Sequence, residues 1–127
     1  MNFKFILFII VLIVSIFFLS CARVPDIQFC EGLTIEGKGK NCGTVFTTGE
    51  LTAIIRNAKS FGSNSITVNI YQKRNNLQQK IQSIDIEVKN TDTQTNDNLP
   101  FYNTGVFQVE ATANGVVFGR SSITIQD

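Results

Sequence analysis

Three cysteines, Cys21, Cys30 and Cys42, are the residues of this chain best suited to covalent chemistry. The sequence has no histidine, so it lacks the commonest general base and any serine or cysteine triad that depends on one. A structural zinc site needs four nitrogen or sulfur ligands, which these cysteines alone do not provide. We therefore expect the cysteines to be cross-linked or modified, and we expect no metal.

Four carboxylates could also take part in chemistry. Asp85 and Glu87 stand two residues apart and could form an acid pair on one strand face, but the nearby Lys89 favours a solvated, charge-balanced surface. Asp92 and Asp97 could offer oxygen ligands to Ca²⁺, although their spacing matches no calcium-binding loop. The sequence therefore predicts a protein that is not an enzyme and needs no cofactor.

The glycine-rich stretch from Gly32 to Gly39 nearly matches the phosphate-binding loop, in which Gly-Lys precedes Ser or Thr. Gly39 takes the place of the hydroxyl residue that would hold Mg²⁺, and no amphipathic helix follows. We interpret the stretch as a surface hairpin that binds no nucleotide. The balanced charge, 11 Lys plus Arg against 10 Asp plus Glu, also argues against nucleic-acid binding.

The start of the chain has the composition of an export signal. Residues 5–19 carry no charge and have Ser15 as their one polar residue, and Lys4 precedes them. A helix over these residues would span about 22 Å, less than the roughly 30 Å of a bilayer's hydrocarbon core. A short apolar segment behind a basic residue is typical of a signal peptide.

The end of this segment, Phe18-Leu19-Ser20-Cys21, resembles the lipobox of bacterial lipoproteins. The resemblance implies that signal peptidase II cleaves between Ser20 and Cys21, and that Cys21 carries a diacylglyceryl thioether and an acylated amino group, with palmitate as a typical acyl chain. The mature protein would be held by its N-terminal lipid in the membrane of the bacterial cell envelope, in the outer membrane with a periplasmic or surface orientation. The alternatives are an uncleaved membrane anchor and a secretory peptide in which Cys21 is incidental.

Cys30 and Cys42 remain as an even pair in an oxidising compartment, which favours a disulfide bond over two free thiols. The bond would close a loop of about a dozen residues and stabilise the fold by about 2.5 to 3 kcal/mol in the chain-entropy model. Three glycines in the loop would let it fold back tightly.

The elements that position these residues are predicted to be β-strands, because apolar and polar residues alternate with a period of two from Val45 onward. One apolar and one polar face on each strand indicate antiparallel sheets around a shared core. The alternating segments are residues 51–56, 66–73, 84–89, 105–111 and 121–126.

Turn signals separate these segments. Asn114-Gly115 is the strongest of them, since both residues accept the positive φ of a type I′ turn, and Arg74–Asn76 indicates a second reversal. Residues 89–100 have almost no apolar content and are predicted to form an exposed loop. Strands separated by such turns over about 100 residues indicate a two-sheet sandwich.

The segment Asn103–Val109 resembles the run that opens strand F of immunoglobulin-like domains. Asn103 stands for the acidic residue of that run, Phe107 for the corner tyrosine and Val109 for the cysteine. The resemblance covers residues 44–126 and implies an all-β, antiparallel two-sheet sandwich of the immunoglobulin-like or fibronectin-III-like class. Phe107 has no hydroxyl for the corner hydrogen bond, and Val109 cannot form the inter-sheet disulfide.

The sequence thus predicts a signal peptide over residues 1–20, a lipidated tether over residues 21–29 and a β-sandwich domain over residues 30–127. We expect the sandwich to bind another protein or a host molecule, with the Cys30–Cys42 hairpin and the Asn90–Asn103 loop as candidate surfaces. One alternative is a structural accessory subunit of an envelope complex, docked through an exposed strand edge. Another is a small-ligand carrier, for which the sequence offers no aromatic-lined cleft.

Overall fold

The computed structural model describes residues 26–127 together with Lys4 and Ile6. Apart from Lys4 and Ile6, the predicted signal peptide lies outside these residues, and so do the predicted cleavage site between Ser20 and Cys21 and the predicted lipidation site at Cys21. The strands are β1 (Ile27–Leu33), β2 (Gly39–Gly43), β3 (Val45–Thr47), β4 (Gly49–Arg56), β5 (Ser65–Arg74), β6 (Leu77–Glu87), β7 (Gln94–Phe101), β8 (Gly105–Ala113) and β9 (Val116–Gln126). The predicted all-β fold is confirmed, and each alternating segment of the sequence overlaps a strand.

The strands form two sheets that face each other across one core. One sheet has four strands in the order β2-β1-β4-β7, and the other has five in the order β3-β9-β8-β5-β6. Phe101 packs edge-on against Phe29 and Phe107, with ring centroids 6.1 and 5.5 Å away, so it joins the two sheets. The predicted two-sheet sandwich is confirmed.

The strand pairs are antiparallel with one exception, the parallel pair of β3 and β9. The chain leaves the four-stranded sheet at Thr44, whose carbonyl oxygen accepts a 2.8 Å hydrogen bond from the Thr124 backbone N–H. The chain must then run along the sandwich to Gly49, where β4 begins, and β9 runs in the same direction. The short edge strand β3 lies on this path and therefore pairs with β9 in parallel. This pairing is an addition to the antiparallel sandwich that the sequence predicts.

The prediction of an exposed loop over residues 89–100 is wrong for most of its length. β7 occupies Gln94–Phe101 and pairs with β4 along its whole length, from Arg56 opposite Gln94 to Gly49 opposite Phe101. Leu99 and Phe101 are buried, whereas the rest of the strand is polar. A polar strand is stable here because it lies at the edge of its sheet and gains its order from backbone pairing and from these two apolar anchors.

The folded domain begins at Ile27, not at Cys30 as the sequence predicts. Ile27 and Phe29 have exposed fractions of 0% and 1% and belong to the core, so part of the predicted tether is strand β1. Asp26 is held as well, because its carbonyl oxygen accepts a hydrogen bond of 2.8 Å from the Arg56 backbone N–H. Four residues therefore separate Cys21 from Asp26, and the five steps of the chain span at most about 18 Å.

The sandwich has two poles, which are named here by the chain segments they carry. The N-terminal pole is the end where β1 begins, and it also carries residues 57–64, residues 88–93 and the turn at residues 114–115. The far pole is the opposite end, with the turns at residues 34–37, 75–76 and 102–104. At about 3.3 Å per residue, β1, β4 and β7 are about 23 to 26 Å long, and β5, β6, β8 and β9 are about 30 to 36 Å long. Any membrane attachment before Asp26 thus joins the N-terminal pole.

Candidate functional site at the far pole

The hairpin of β1 and β2 is fixed by a disulfide bond. Cys30 and Cys42 are register partners, and their Cα atoms are 3.9 Å apart. The predicted disulfide is therefore confirmed. Cys30 is buried beside Ile54 on the outer face of the four-stranded sheet, outside the main core. A Cβ atom at Gly39 would lie 2.5 Å from both Sγ atoms and 3.1 Å from Ile54 Cδ1, so this close approach requires glycine.

The tip of this hairpin presents an aliphatic side chain to solvent. Ile35 has an exposed fraction of 108%, and Leu33 beside it is partly exposed. The turn is fixed because the Thr34 backbone N–H donates to the Lys38 carbonyl at 2.7 Å and the Lys38 backbone N–H donates to Thr34 Oγ1 at 3.1 Å. Gly37 completes it with a φ of 80°. The stretch from Gly32 to Gly39 is thus a surface hairpin, as the sequence predicts.

The second apolar feature of the far pole is a groove between the edge strands β6 and β7, with a volume of about 280 Å³. Ile81 and Tyr102 line its mouth with exposed fractions of 45% and 65%, and the buried rings of Phe101 and Phe107 form its floor. Tyr102 is held across the end of the sheet by a 3.5 Å hydrogen bond from its hydroxyl to Glu50 Oε1. Aromatic and aliphatic groups exposed together are typical of binding surfaces.

A β-bulge places Ile81 at the mouth of this groove. The register between β5 and β6 shifts between Ile70 and Tyr71, which pair with Gln82 and Lys80 and leave Ile81 without a partner. A bulge turns one side chain away from the regular alternation and increases the local twist. The exposed position of Ile81 therefore follows from the pairing of the strands.

The structure separates the two surfaces that the sequence proposes for binding. The Cys30–Cys42 hairpin is a surface feature, as predicted, whereas most of the Asn90–Asn103 segment is strand β7 and not a loop. Four residues at the end of that segment line the groove, namely Pro100 and Phe101 at the end of β7 and Tyr102 and Asn103 after it. The hairpin tip and the groove lie at opposite corners of the far pole, three strand positions apart in the sheet, or about 14 Å.

Three of the four carboxylates considered for chemistry accept hydrogen bonds within the fold. Asp85 Oδ1 accepts a 2.8 Å hydrogen bond from Thr67 Oγ1 on the outer face of the five-stranded sheet, and Asp92 Oδ2 accepts one of 3.0 Å from the Lys89 backbone N–H in a turn. Asp97 Oδ1 accepts one of 2.8 Å from the Asn98 backbone N–H. Within residues 26–127, no group of three or more acidic, histidine or cysteine side chains is arranged to hold a metal ion.

Four residues that no sequence pattern singled out give the far pole its apolar character, namely Leu33, Ile35, Ile81 and Tyr102. Ile35 could have been recognised, because an isoleucine between two glycines of a hairpin has no neighbouring strand to cover it. Ile81 and Tyr102 carry no comparable signal, since their exposure depends on a bulge and on the meeting of two distant strands.

Comparisons with known proteins give no family assignment, because no protein-family model matches the sequence and no curated protein is significantly similar to it. Among the residues that the structure describes, no helix has the length and apolar character needed to cross a bilayer.

Proposed function

We propose that this chain is a lipid-anchored, non-catalytic protein of the bacterial cell envelope whose β-sandwich presents its far pole to another protein or a host molecule. The lipid would be attached at Cys21 after cleavage behind Ser20, in keeping with the lipobox-like sequence Phe18–Cys21. The membrane would then hold the N-terminal pole.

The observation that carries this proposal is the position of the exposed apolar side chains. Ile35, Ile81 and Tyr102 lie at the pole opposite to the one where the chain enters from its apolar N-terminal segment. An anchor placed before Asp26 would leave these groups on the side of the domain away from the lipid. Large apolar side chains exposed on a rigid scaffold are a common feature of protein-binding surfaces.

The strand order supports an immunoglobulin-like class for this sandwich. The sheet of β9, β8, β5 and β6 is similar to the G-F-C-C′ sheet of such domains, and β1, β4 and β7 are similar to their A-B-E sheet. The segment Asn103–Val109 accordingly leads into β8, the strand equivalent to F, with Phe107 and Val109 buried in the core. Domains of this architecture often place recognition at the ends of the sandwich.

An accessory subunit that docks through a strand edge is the second candidate. The observation in its favour is β6, which extends over 11 residues and pairs on one side only, with β5. Lys80 and the bulge at Ile81 weaken this candidate, because a charge and a bulge on an edge strand both hinder pairing with another chain. A small-ligand carrier has less support, since the groove of about 280 Å³ lies below the usual size of ligand pockets, about 300 to 1,000 Å³. A larger concavity of about 580 Å³ beside Ile35 is wide open to solvent and would enclose little of a ligand.

Site-specific photo-cross-linking in the native cells tests the proposal. A cross-linking amino acid at position 35 or 102 should give a discrete adduct, and the same group at Val45, which is 53% exposed on β3, serves as the matched control. Adducts at the far-pole positions and not at Val45 support the proposed surface. Adducts that form only from a cross-linker at Ser83 on β6 would instead favour the accessory subunit.

A further inference from the structure

The N-terminal pole is a rigid platform, because hydrogen bonds join its three connecting segments. Asn114 Nδ2 donates to the Gly62 carbonyl at 3.1 Å, and the Gly62 backbone N–H donates to the Asn90 carbonyl at 2.9 Å. The Phe61 backbone N–H donates to the Asp92 carbonyl at 2.8 Å. The turn of residues 114–115, residues 57–64 and residues 88–93 therefore hold one another in a fixed arrangement.

The chain enters this platform beside the β8–β9 hairpin. A Cβ atom at Gly119 would lie 2.9 Å from the Cβ atom of Asp26 and 3.5 Å from Ile27 Cγ1, so β9 passes directly against the first residues of the domain. Phe118 packs against Phe61 with ring centroids 5.6 Å apart, which fixes the base of the hairpin. The surface around Asp26 is thus built from defined side chains.

This surface combines apolar and basic groups. Val116 and Val117 have exposed fractions of 67% and 36% at the end of the hairpin. Lys59 and Lys89 are exposed on the neighbouring segments, and neither forms an ion pair with another residue that the structure describes. Arg56 and Glu87 lie at strand ends of the same pole, and Asp26 and Asp92 lie there too, so its three basic and three acidic groups balance. Attraction to lipid phosphates would therefore come from the two exposed lysines and not from a net positive charge. Aliphatic groups next to lysines suit the boundary between lipid headgroups and acyl chains.

We propose that the N-terminal pole rests on the lipid bilayer, with Val116 and Val117 at the headgroup boundary and with Lys59 and Lys89 near lipid phosphates. The inference rests on the membrane attachment in the proposed function. The short chain before the domain identifies the lipid as the occupant, since the apolar segment of residues 5–19 and Cys21 both precede Asp26, and Cys21 is within about 18 Å of it. The contact would fix the orientation of the sandwich and direct the far pole away from the membrane.

Tryptophan fluorescence tests this orientation, because the chain has no tryptophan of its own. Two variants of the full chain, Val116→Trp and the matched control Ile35→Trp, are reconstituted in vesicles of equal phosphatidylcholine and phosphatidylglycerol with brominated acyl chains. We expect blue-shifted, quenched emission from position 116 and unquenched emission from position 35. When Lys59→Gln or Lys89→Gln is added to the Val116→Trp variant, the equilibrium between the pole in contact with the bilayer and the pole free of it should shift toward the free state. We expect a shift of about fivefold for each lysine replaced.

Each other result overturns the inference. Quenching at position 35 alone or at neither position would show that the N-terminal pole does not rest on the bilayer, and quenching at both positions would show that the sandwich has no fixed orientation on it. Flotation of the same vesicles separates this failure from a failure of the proposed function. If the protein floats with the vesicles but the emission from position 116 is not quenched, the protein is attached to the membrane but its N-terminal pole does not contact the bilayer. If the protein does not float, the membrane attachment fails and the contact fails with it.

Discussion

Gly39 and the disulfide should be energetically coupled, because the glycine leaves the space that the two sulfurs occupy. In the variant Gly39→Ala, the new Cβ atom would lie 2.5 Å from both Sγ atoms, about 1 Å inside ordinary contact distance. The sulfurs cannot move apart while they are bonded, and Ile54 below them is buried with an exposed fraction of 1%. The strain must therefore be taken up by the backbone of the hairpin.

The magnitude follows from the cost of overpacking. Forcing an extra methyl group into a packed site costs about 1 to 3 kcal/mol of unfolding free energy. The double variant Cys30→Ala, Cys42→Ala should itself lose about 3 kcal/mol, given a sequence separation of 12 residues. In that background the sulfurs are absent, and the nearest remaining atom is Ile54 Cδ1 at 3.1 Å. Gly39→Ala should then cost less than about 1 kcal/mol, a coupling of about 1 to 2 kcal/mol.

Urea unfolding of the four variants in mild detergent, followed by far-ultraviolet circular dichroism, measures this cycle. Free-thiol titration of Gly39→Ala shows in parallel whether the disulfide still forms. A Gly32→Ala variant is the matched control, because a Cβ atom at Gly32 has no neighbour within 4 Å. An equal cost of Gly39→Ala with and without the cysteines would refute the proposed packing of the hairpin.

Three further predictions concern the core, the β8–β9 turn and the anchor. Phe107→Ala should lower the unfolding free energy by about 3 to 5 kcal/mol, because the ring is 1% exposed. A decrease in the urea midpoint no larger than that caused by a surface substitution would contradict this prediction. Asn114→Ala should lower the unfolding free energy by about 1 to 2 kcal/mol, since Asn114 has a φ of 53° and its side chain donates to the Gly62 carbonyl. Asn114→Gly should lower it less, because glycine accepts a positive φ. Equal urea midpoints for the two variants would count against this explanation. Cys21→Ala should leave the sandwich folded but the chain either uncleaved or soluble on cell fractionation, and an unfolded variant would show that Cys21 is structural.

The strands that the sequence predicts most clearly are those whose inner faces are apolar along most of their length. In β4, β5 and β8 the side chains at every second position enter the core, so the alternation is visible in the sequence. The two asparagine turns were predictable for a similar reason. Asn75, Asn76, Asn114 and Gly115 all have positive φ, which few residue types accept.

β7 could not be recognised in this way, because its order comes from its partner. Only Leu99 and Phe101 supply apolar burial, and the strand is otherwise held by backbone hydrogen bonds to β4, which any residue except proline can form. The parallel pair of β3 and β9 was hidden for a related reason. The three residues of β3 are too few to show an alternating pattern, and the direction of this strand is set by the path of the chain from Thr44 to Gly49.

The candidate site was predictable only in its covalent part. The even cysteine pair and the glycines between them predict the closed hairpin, and the isoleucine at its tip follows from the same stretch. The groove brings together Ile81, Tyr102 and Phe107, which belong to three different parts of the chain. Its formation depends on the bulge in β6 and on the arrangement of the two sheet edges, neither of which leaves a local pattern.

Mass spectrometry of the mature N-terminus, purified from membranes of the native cells, tests the central claim of lipid anchoring most directly. We predict that the chain begins at Cys21 and that this residue carries the mass of a diacylglyceryl group and an amide-linked acyl chain. A peptide that runs unbroken through residues 19–23, or an unmodified N-terminus at or after Cys21, would contradict it.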